Sequence, residues 1–291
     1  MKPYNGIHIK NFDLKSISSF KIGGIALDYF IPNETNDLIQ FLKYAAIEKK
    51  SIYIIGNASN ILFNDIIYKG TLINLKGFTN FISQNKNIIT AGAAVHLDNL
   101  IEYSINNSLK GIEKLSGIPG TVGGALVMNA GAFGSEIGDH VESVKVMTYS
   151  GKVKVLTKDQ IKFTYRKSVP LEKYIILEAV FRLKKGSQSS LINRRKEVLK
   201  KRGGKQPLEY PSCGSIFKRP ENNYAGALIE RSDLKGVKIG GAQISKKHCN
   251  FIINAGNAKA DEVMQLIQLA QKKVYNNFKI KLELEIKLFN F

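Results

Sequence analysis

Tryptophan is absent from this chain, and cysteine nearly so: 291 residues include 2 Cys, 4 His and 7 Pro. Cys213 and Cys249 are too few and too far apart for a disulfide scaffold or a thiolate metal centre, and they are read as reduced thiols. His8, His96, His140 and His248 never fall at i, i+4 spacing, so no metal site is expected. No apolar run approaches the length of a membrane span. Residues 1–12 alternate polar and apolar side chains without the continuous apolar core of a signal peptide, so a cytoplasmic protein without membrane insertion is expected. Internal repeats and low-complexity tracts are missing too. Acidic residues are scarce: 24 Asp and Glu stand against 43 Lys and Arg, for a formal charge of +19.

Such a charge concentrates anions, whether nucleic acid or small phosphorylated molecules. Only 7 of the 43 basic residues are Arg, and the lysines are scattered among Ile and Asn. The densest run, between Arg194 and Arg202, shares a helical pattern with Leu191, Val198 and Leu199, which reads as a solvated helix face. No nucleic-acid fold signature accompanies it, so no nucleic-acid partner is expected. At 44% hydrophobic and 23% charged residues, the chain has the material for two or three cored domains.

Periodicity alternates between two and about 3.6, the mark of mixed α and β structure. Helices are predicted after a cap at Thr35 with Leu38, Phe41, Leu42 and Ala45 inward, over 97–106, along the basic run, and over 260–278 with Val263, Leu266, Ile267, Ala270, Val274 and Phe278 inward. Strands are predicted over 51–55, 71–75, 88–91, 141–149, 152–157, 174–183 and 281–289. Residues 184–190 read as a linker and domain boundary.

Against this scaffold one segment stands out. Between Gly117 and Gly134 six glycines fall in eighteen residues, around Pro119. Glycine lets the main chain approach a ligand and turn successive N–H groups inward as an anion nest, although a Gly-rich turn between buried strands would also fit. Upstream, a predicted strand ends in Gly56-Asn57-Ala58-Ser59-Asn60, which suits a diphosphate or equally a plain turn. No G-x-G-x-x-G turn opens a helix, so a Rossmann site is not indicated.

These segments, taken in order with Ser19-Phe20-Lys21-Ile22-Gly23-Gly24, Tyr165-Arg166-Lys167-Ser168, Gly214-Ser215-Ile216-Phe217-Lys218, Gly240-Gly241-Ala242-Gln243-Ile244-Ser245, residues 248–254 and Leu282-Glu283-Leu284-Glu285, resemble the UDP-N-acetylenolpyruvoylglucosamine reductase family over nearly the whole chain. The short interval from Arg166 to Ser215 is similar to the family's compact form, which lacks a substrate-covering insertion. The resemblance implies an α+β fold. Residues 1–75 and 76–186 would be two FAD-binding subdomains of the vanillyl-alcohol oxidase type, and residues 187–291 a substrate-binding domain. It implies FAD held by Gly56, Asn57, Ala58, Ser59, Asn60, Ser116, Gly117, Ile118, Gly120, Thr121, Gly123, Gly124, Asn129 and Gly131, with NADPH as co-substrate and a UDP-sugar enolpyruvyl ether as substrate. The protein is taken as a monomer.

For catalysis the resemblance implies Arg166 as carboxylate stabiliser, Ser215 as proton donor and Glu285 as an aid to the same carboxylate. Without the match, Arg166 would read as a surface ion pair and Ser215 as a turn serine. Tyr165, Lys205, Lys218, Arg219 and His248 would contact substrate, although Arg219 stands where some members have Asn. Two rival readings are an oxidase on the same cofactor fold with flavin on a histidine, and a noncatalytic polyanion binder. No histidine lies between Gly117 and Gly134, which disfavours the first.

Overall fold

The computed structural model describes residues 4–291; the first three positions of the stretch read for a leader lie outside them. The chain packs as two compact units. One comprises residues up to Lys10 with Leu27–Asn57 and Lys69–Lys200, the other Asn11–Ala26, Ala58–Tyr68 and Lys201–Phe291. This division by contacts is separate from the three consecutive parts expected above.

In the first unit the β-branched runs pair into a five-stranded antiparallel sheet, in the order Val153–Thr157, Val141–Met147, Ile175–Arg182, Ile88–Gly92, Ile82–Asn85. Irregularities in register interrupt the pairing of Val141–Met147 with Ile175–Arg182 between Val141 and Ser143 and between Lys145 and Val146. A second sheet runs Ile7–Asp13, Ile25–Ile31, Tyr68–Ile73, Ile52–Ile54, its last two strands parallel. Helix Thr35–Ile47 buries Leu38, Phe41, Leu42 and Ala45, the face expected, but its N-cap is Glu34 and Thr35 is already helical. Helix Leu97–Asn106 buries Leu97, Leu100, Ile101 and Ile105. Each buried Leu, Ile or Phe among them contributes about 1.5–3 kcal/mol by leaving water.

The second unit has a three-stranded antiparallel sheet, Lys238–Ile239, Ala242–Ile244 and Ile252–Asn254, against helix Ala260–Phe278. That helix buries Val263, Leu266, Ile267, Ala270 and Val274. Its N-terminus is satisfied by Asp65, whose Oδ2 accepts from Ala260 N at 2.7 Å, and by Glu262, which accepts from Lys259 N at 3.0 Å. Lys279, in the left-handed region at φ +58°, ends it. Phe20, Ile22 and Leu62 belong to this unit's core, though they lie far upstream in sequence.

Two expectations need correction. Residues 184–190 are not a linker: Lys184–Lys185 pairs with Leu109–Lys110, and helix Gln188–Lys205 begins at once. The last strand shrinks from 281–289 to Lys287–Phe289, which lies parallel to Ile61–Phe63, because residues 283–285 serve a different neighbour. No helix among the described residues is long and apolar enough to cross a membrane.

Candidate active site

The glycine-rich segment is built around Thr121. It is the N-cap of the short helix Val122–Val127, and its Oγ1 accepts from Gly124 N. Antiparallel bonds on either side, Leu97 N to Gly120 O at 2.9 Å and Val122 N to Val95 O at 2.8 Å, hold it opposite His96. Gly123 packs so tightly that an added Cβ would sit 3.1 Å from Ala93 Cβ, and its N–H is taken by Ala93 O. Gly56 reaches the same place: a Cβ there would lie 2.5 Å from Thr121 Oγ1. Asn74 Nδ2 donates to Gly56 O at 3.2 Å and fixes the strand end.

Most amides of this cradle are committed to the protein. Gly117 N donates to Asp98 Oδ1 at 3.0 Å, while Asp98 Oδ2 takes Arg195 Nη2 at 2.6 Å. Ile118 N goes to Leu115 O, and Ser116, fully buried, donates its hydroxyl to Glu113 O at 2.7 Å. Among the described residues the N–H groups of Asn57, Gly120 and Thr121 have no acceptor on the protein. Unpaired donors on two touching loops, where side chains beyond hydrogen would clash, fit an anionic diphosphate well.

Asn129, in the left-handed region at φ +41° and 1% exposed, ties three segments together through its carboxamide. Its Oδ1 accepts from Gly138 N at 3.1 Å, and its Nδ2 donates to Thr164 O at 3.0 Å and to Glu136. Thr164 pairs with Lys167 to close a two-residue turn that carries Tyr165 and Arg166 at its tip. Ser168 anchors that turn by donating to Ile161 O at 2.8 Å. Arg166 lies at φ +56°, and its Nη2 donates to Gly131 O at 2.9 Å. Gly131 leaves room for this approach, since a Cβ would stand 2.9 Å from Arg166 Nη1. The guanidinium carbon lies 5.1 Å from the centre of the Tyr165 ring.

In the second unit Ser215 and Glu285 come together. Gly214, at φ +81° with open space around it, turns the chain into Ser215, which is half-buried. Glu285 N donates to Ile216 O at 2.8 Å, Lys218 N to Glu283 O at 2.8 Å, and Phe217 bridges Leu284. The serine and the glutamate therefore sit on neighbouring, hydrogen-bonded segments. Asn60, at the end of the Gly56–Asn60 turn, joins them by donating its Nδ2 to Glu285 O at 3.0 Å. In that turn Ala58 adopts φ +48° and is buried, and Ser59 is half-buried.

Around this group, Lys218 Nζ pairs with Glu283 at 3.1 Å, and Arg219 stacks 4.2 Å over the Tyr224 ring while its Nε donates to Asn223 O. His248 is half-buried. Burial, aided by the charge of Lys205, lowers its pKa, against the raising influence of its own main chain and Glu230. Cys213 is buried and its thiol is pushed up to about 12, so it is no nucleophile. Asn250 was not singled out from the sequence. Its Oδ1 accepts from Phe217 N at 3.0 Å, its Nδ2 donates to Phe217 O at 2.8 Å, and its main-chain O takes Ile216 N at 2.9 Å. Asp98 was missed likewise. Both act on partners at least nineteen residues away, which no local pattern displays.

Residues 26–157 match the FAD binding domain family, and residues 206–289 match the UDP-N-acetylenolpyruvoylglucosamine reductase, C-terminal domain family. A UDP-N-acetylenolpyruvoylglucosamine reductase of Caldanaerobacter subterraneus subsp. tengcongensis is 42% identical, over 96% of this chain and 92% of its own. That of Caldicellulosiruptor bescii is 44% identical, over 96% and 89%. The chain belongs to the UDP-N-acetylenolpyruvoylglucosamine reductase family. The crystal structure of the Thermus caldophilus reductase superposes with a TM-score of 0.84 at 30% identity, covering 98% of this chain and 99% of that one. As a member of this reductase family with an FAD-binding domain, the protein is an FAD-dependent oxidoreductase of α+β fold, which sets aside the noncatalytic reading and that of an oxidase.

Proposed function

We propose that this enzyme reduces the enolpyruvyl ether of UDP-N-acetylglucosamine to UDP-N-acetylmuramate with NADPH as hydride donor, in the cytoplasm, for peptidoglycan synthesis. Residues 1–75 and 76–186 serve the cofactor and 187–291 the substrate, and the protein works as a monomer. The observation that carries the reading is the direct pairing of the Ser215 and Glu285 segments, with Asn60 bonded to the same glutamate.

The unpaired amides of Asn57, Gly120 and Thr121 would hold the diphosphate of FAD, and Ala58, Ser59, Gly117, Ile118, Gly123, Gly124 and Gly131 would shape the surface around it. When bound, FAD supplies the hydride that reaches the β-carbon of the enolpyruvyl double bond. That addition drives an electron pair toward the substrate carboxylate, where the permanently charged, planar guanidinium of Arg166 stabilises it. The Ser215 hydroxyl then gives its proton to the α-carbon, completing a two-electron reduction of the double bond. A serine is a weak acid, but an enediolate-like carbon is a strong base, and the serine's placement governs the rate. Glu285 supports the carboxylate from the neighbouring segment. Tyr165, Lys205, Lys218, Arg219 and His248 bind the remainder of the anionic substrate.

The two half-reactions separate these roles. Ser215→Ala is expected to leave bleaching of the flavin by NADPH within about twofold of the parent, while reoxidation by the enolpyruvyl substrate slows by on the order of 10²–10⁴, the usual worth of a positioned acid. Rapid mixing with each substrate in turn measures both rates. Equal loss in the two would remove Ser215 from the proton-donating role.

A further inference from the structure

The segment that carries Ser215 is held by one buried side chain that no local motif marks. Asn250 is 7% exposed, and its carboxamide meets both polar main-chain groups of Phe217, two residues after the serine. It takes the place of a neighbouring strand there, accepting the N–H at 3.0 Å and donating to the C=O at 2.8 Å. Its own carbonyl takes Ile216 N, and Ile216 O in turn receives Glu285 N. A single residue thus fixes the register of the serine segment against the Glu285 segment. Truncating it would orphan a buried donor and a buried acceptor beside the reaction centre.

We propose that Asn250 is a positioning residue for proton transfer: its carboxamide sets where the Ser215 hydroxyl stands, and so controls the substrate half-reaction and not the reduction by NADPH. This rests on the reading of Ser215 as the proton donor. Only a group that both donates and accepts can fill the role. A carboxylate accepts from Phe217 N but repels Phe217 O, whereas a protonated carboxyl has the shape and the donor–acceptor pair of the amide.

Asn250→Asp is therefore a titratable test. The charged and titratable groups around the position are His248, whose Nδ1 accepts from Asn250 N at 3.2 Å, Lys205 and Glu230, which act on that histidine, the adjoining Cys249, whose thiol is pushed up by burial, with Lys235 acting on it, and Lys218, Glu283 and Glu285 on the serine and glutamate segments. They are present in parent and variant alike, so the ratio of the two is read. At high pH the variant's reoxidation by the enolpyruvyl substrate is expected to fall by on the order of 10²-fold, the loss that a misplacement of ~1 Å can bring. Toward low pH, as the introduced carboxyl takes up its proton, the ratio should climb back by about tenfold or more, while the ratio for reduction by NADPH stays flat.

A ratio for reoxidation that does not change with pH, or one that moves together with the reduction ratio, would overturn the proposal. Should Asn250→Asp fail to hold flavin, Asn250→Ser is measured in its place, with reoxidation slowed and reduction retained as the expected result. Failure of both to fold would overturn it too, as the mark of a purely structural residue. Ser215→Ala, run alongside, separates the two ideas: if it leaves reoxidation intact, the reading of Ser215 falls, and if it slows reoxidation while Asn250→Asp does not, the inference alone falls.

Discussion

Arg166, the proposed stabiliser of the substrate carboxylate, is held by several other residues. Its left-handed backbone costs about 1 kcal/mol or more, and Gly131, Asn129 and Ser168 over-determine the turn so that it persists. Arg166, Ser215 and Glu285 stood out in the sequence because motifs surround them. Asn250 and Asp98 did not, because a polar side chain whose partners lie at least nineteen residues away looks in sequence like any other polar residue. His248 carries a prediction at this scale. Its pKa is lowered in the folded chain, so it contributes stability above the ordinary value of 6.5 that is lost as pH falls and the unfolded chain takes up the proton first. His140, lowered by burial against the charges of Asp139 and Glu113, acts in the same sense. Between about pH 7 and pH 5, His248→Gln should therefore lose less of its melting temperature than the parent does, as followed by circular dichroism. An identical loss in both would show that His248 is not linked to folding.

Among the elements, the helices were the most legible: the 97–106 and 260–278 patterns match Leu97–Asn106 and Ala260–Phe278, since a wide apolar stripe fixes both face and length. The last strand was overread, because alternation over 281–289 cannot tell a continuous ladder from two short pairings with different neighbours. The stretch 184–190 was underread, because Gly and Ser suggest a linker while the helix that follows needs only a polar start. The meeting of two loops at Gly56 and Thr121 was invisible, being long-range. It is testable all the same. A Cβ on Gly56 would press on the Thr121 hydroxyl, which is already engaged in capping, and crowding of this kind costs about 1–3 kcal/mol. Gly56→Ala is expected to weaken FAD binding by roughly tenfold or more while the fold melts within a few degrees of the parent. Titration of the apoprotein with FAD, followed by quenching of flavin fluorescence, gives the affinity; an unchanged value would remove this contact from the cofactor site.

On the scale of the whole molecule, the chain does not fold in consecutive blocks. The second unit draws Asn11–Ala26 and Ala58–Tyr68 from upstream, and Phe20, Ile22 and Leu62 are fully buried in its core. A fragment of residues 201–291 should therefore stay unfolded, with dispersionless NMR spectra; a cooperative melt from that fragment alone would contradict the packing described here. Sequence reasoning missed this interleaving because no composition shift marks it. The +19 charge suits a protein whose proposed ligands are all phosphorylated anions, although it does not select among them. The most direct measurement of the central claim is the visible spectrum of the purified protein under anaerobic conditions. A flavin band should be present, should bleach on adding NADPH, and should return in full, with one equivalent, on adding the enolpyruvyl ether of UDP-N-acetylglucosamine. A protein that holds flavin and is bleached, yet is not reoxidised by that substrate, would contradict the account.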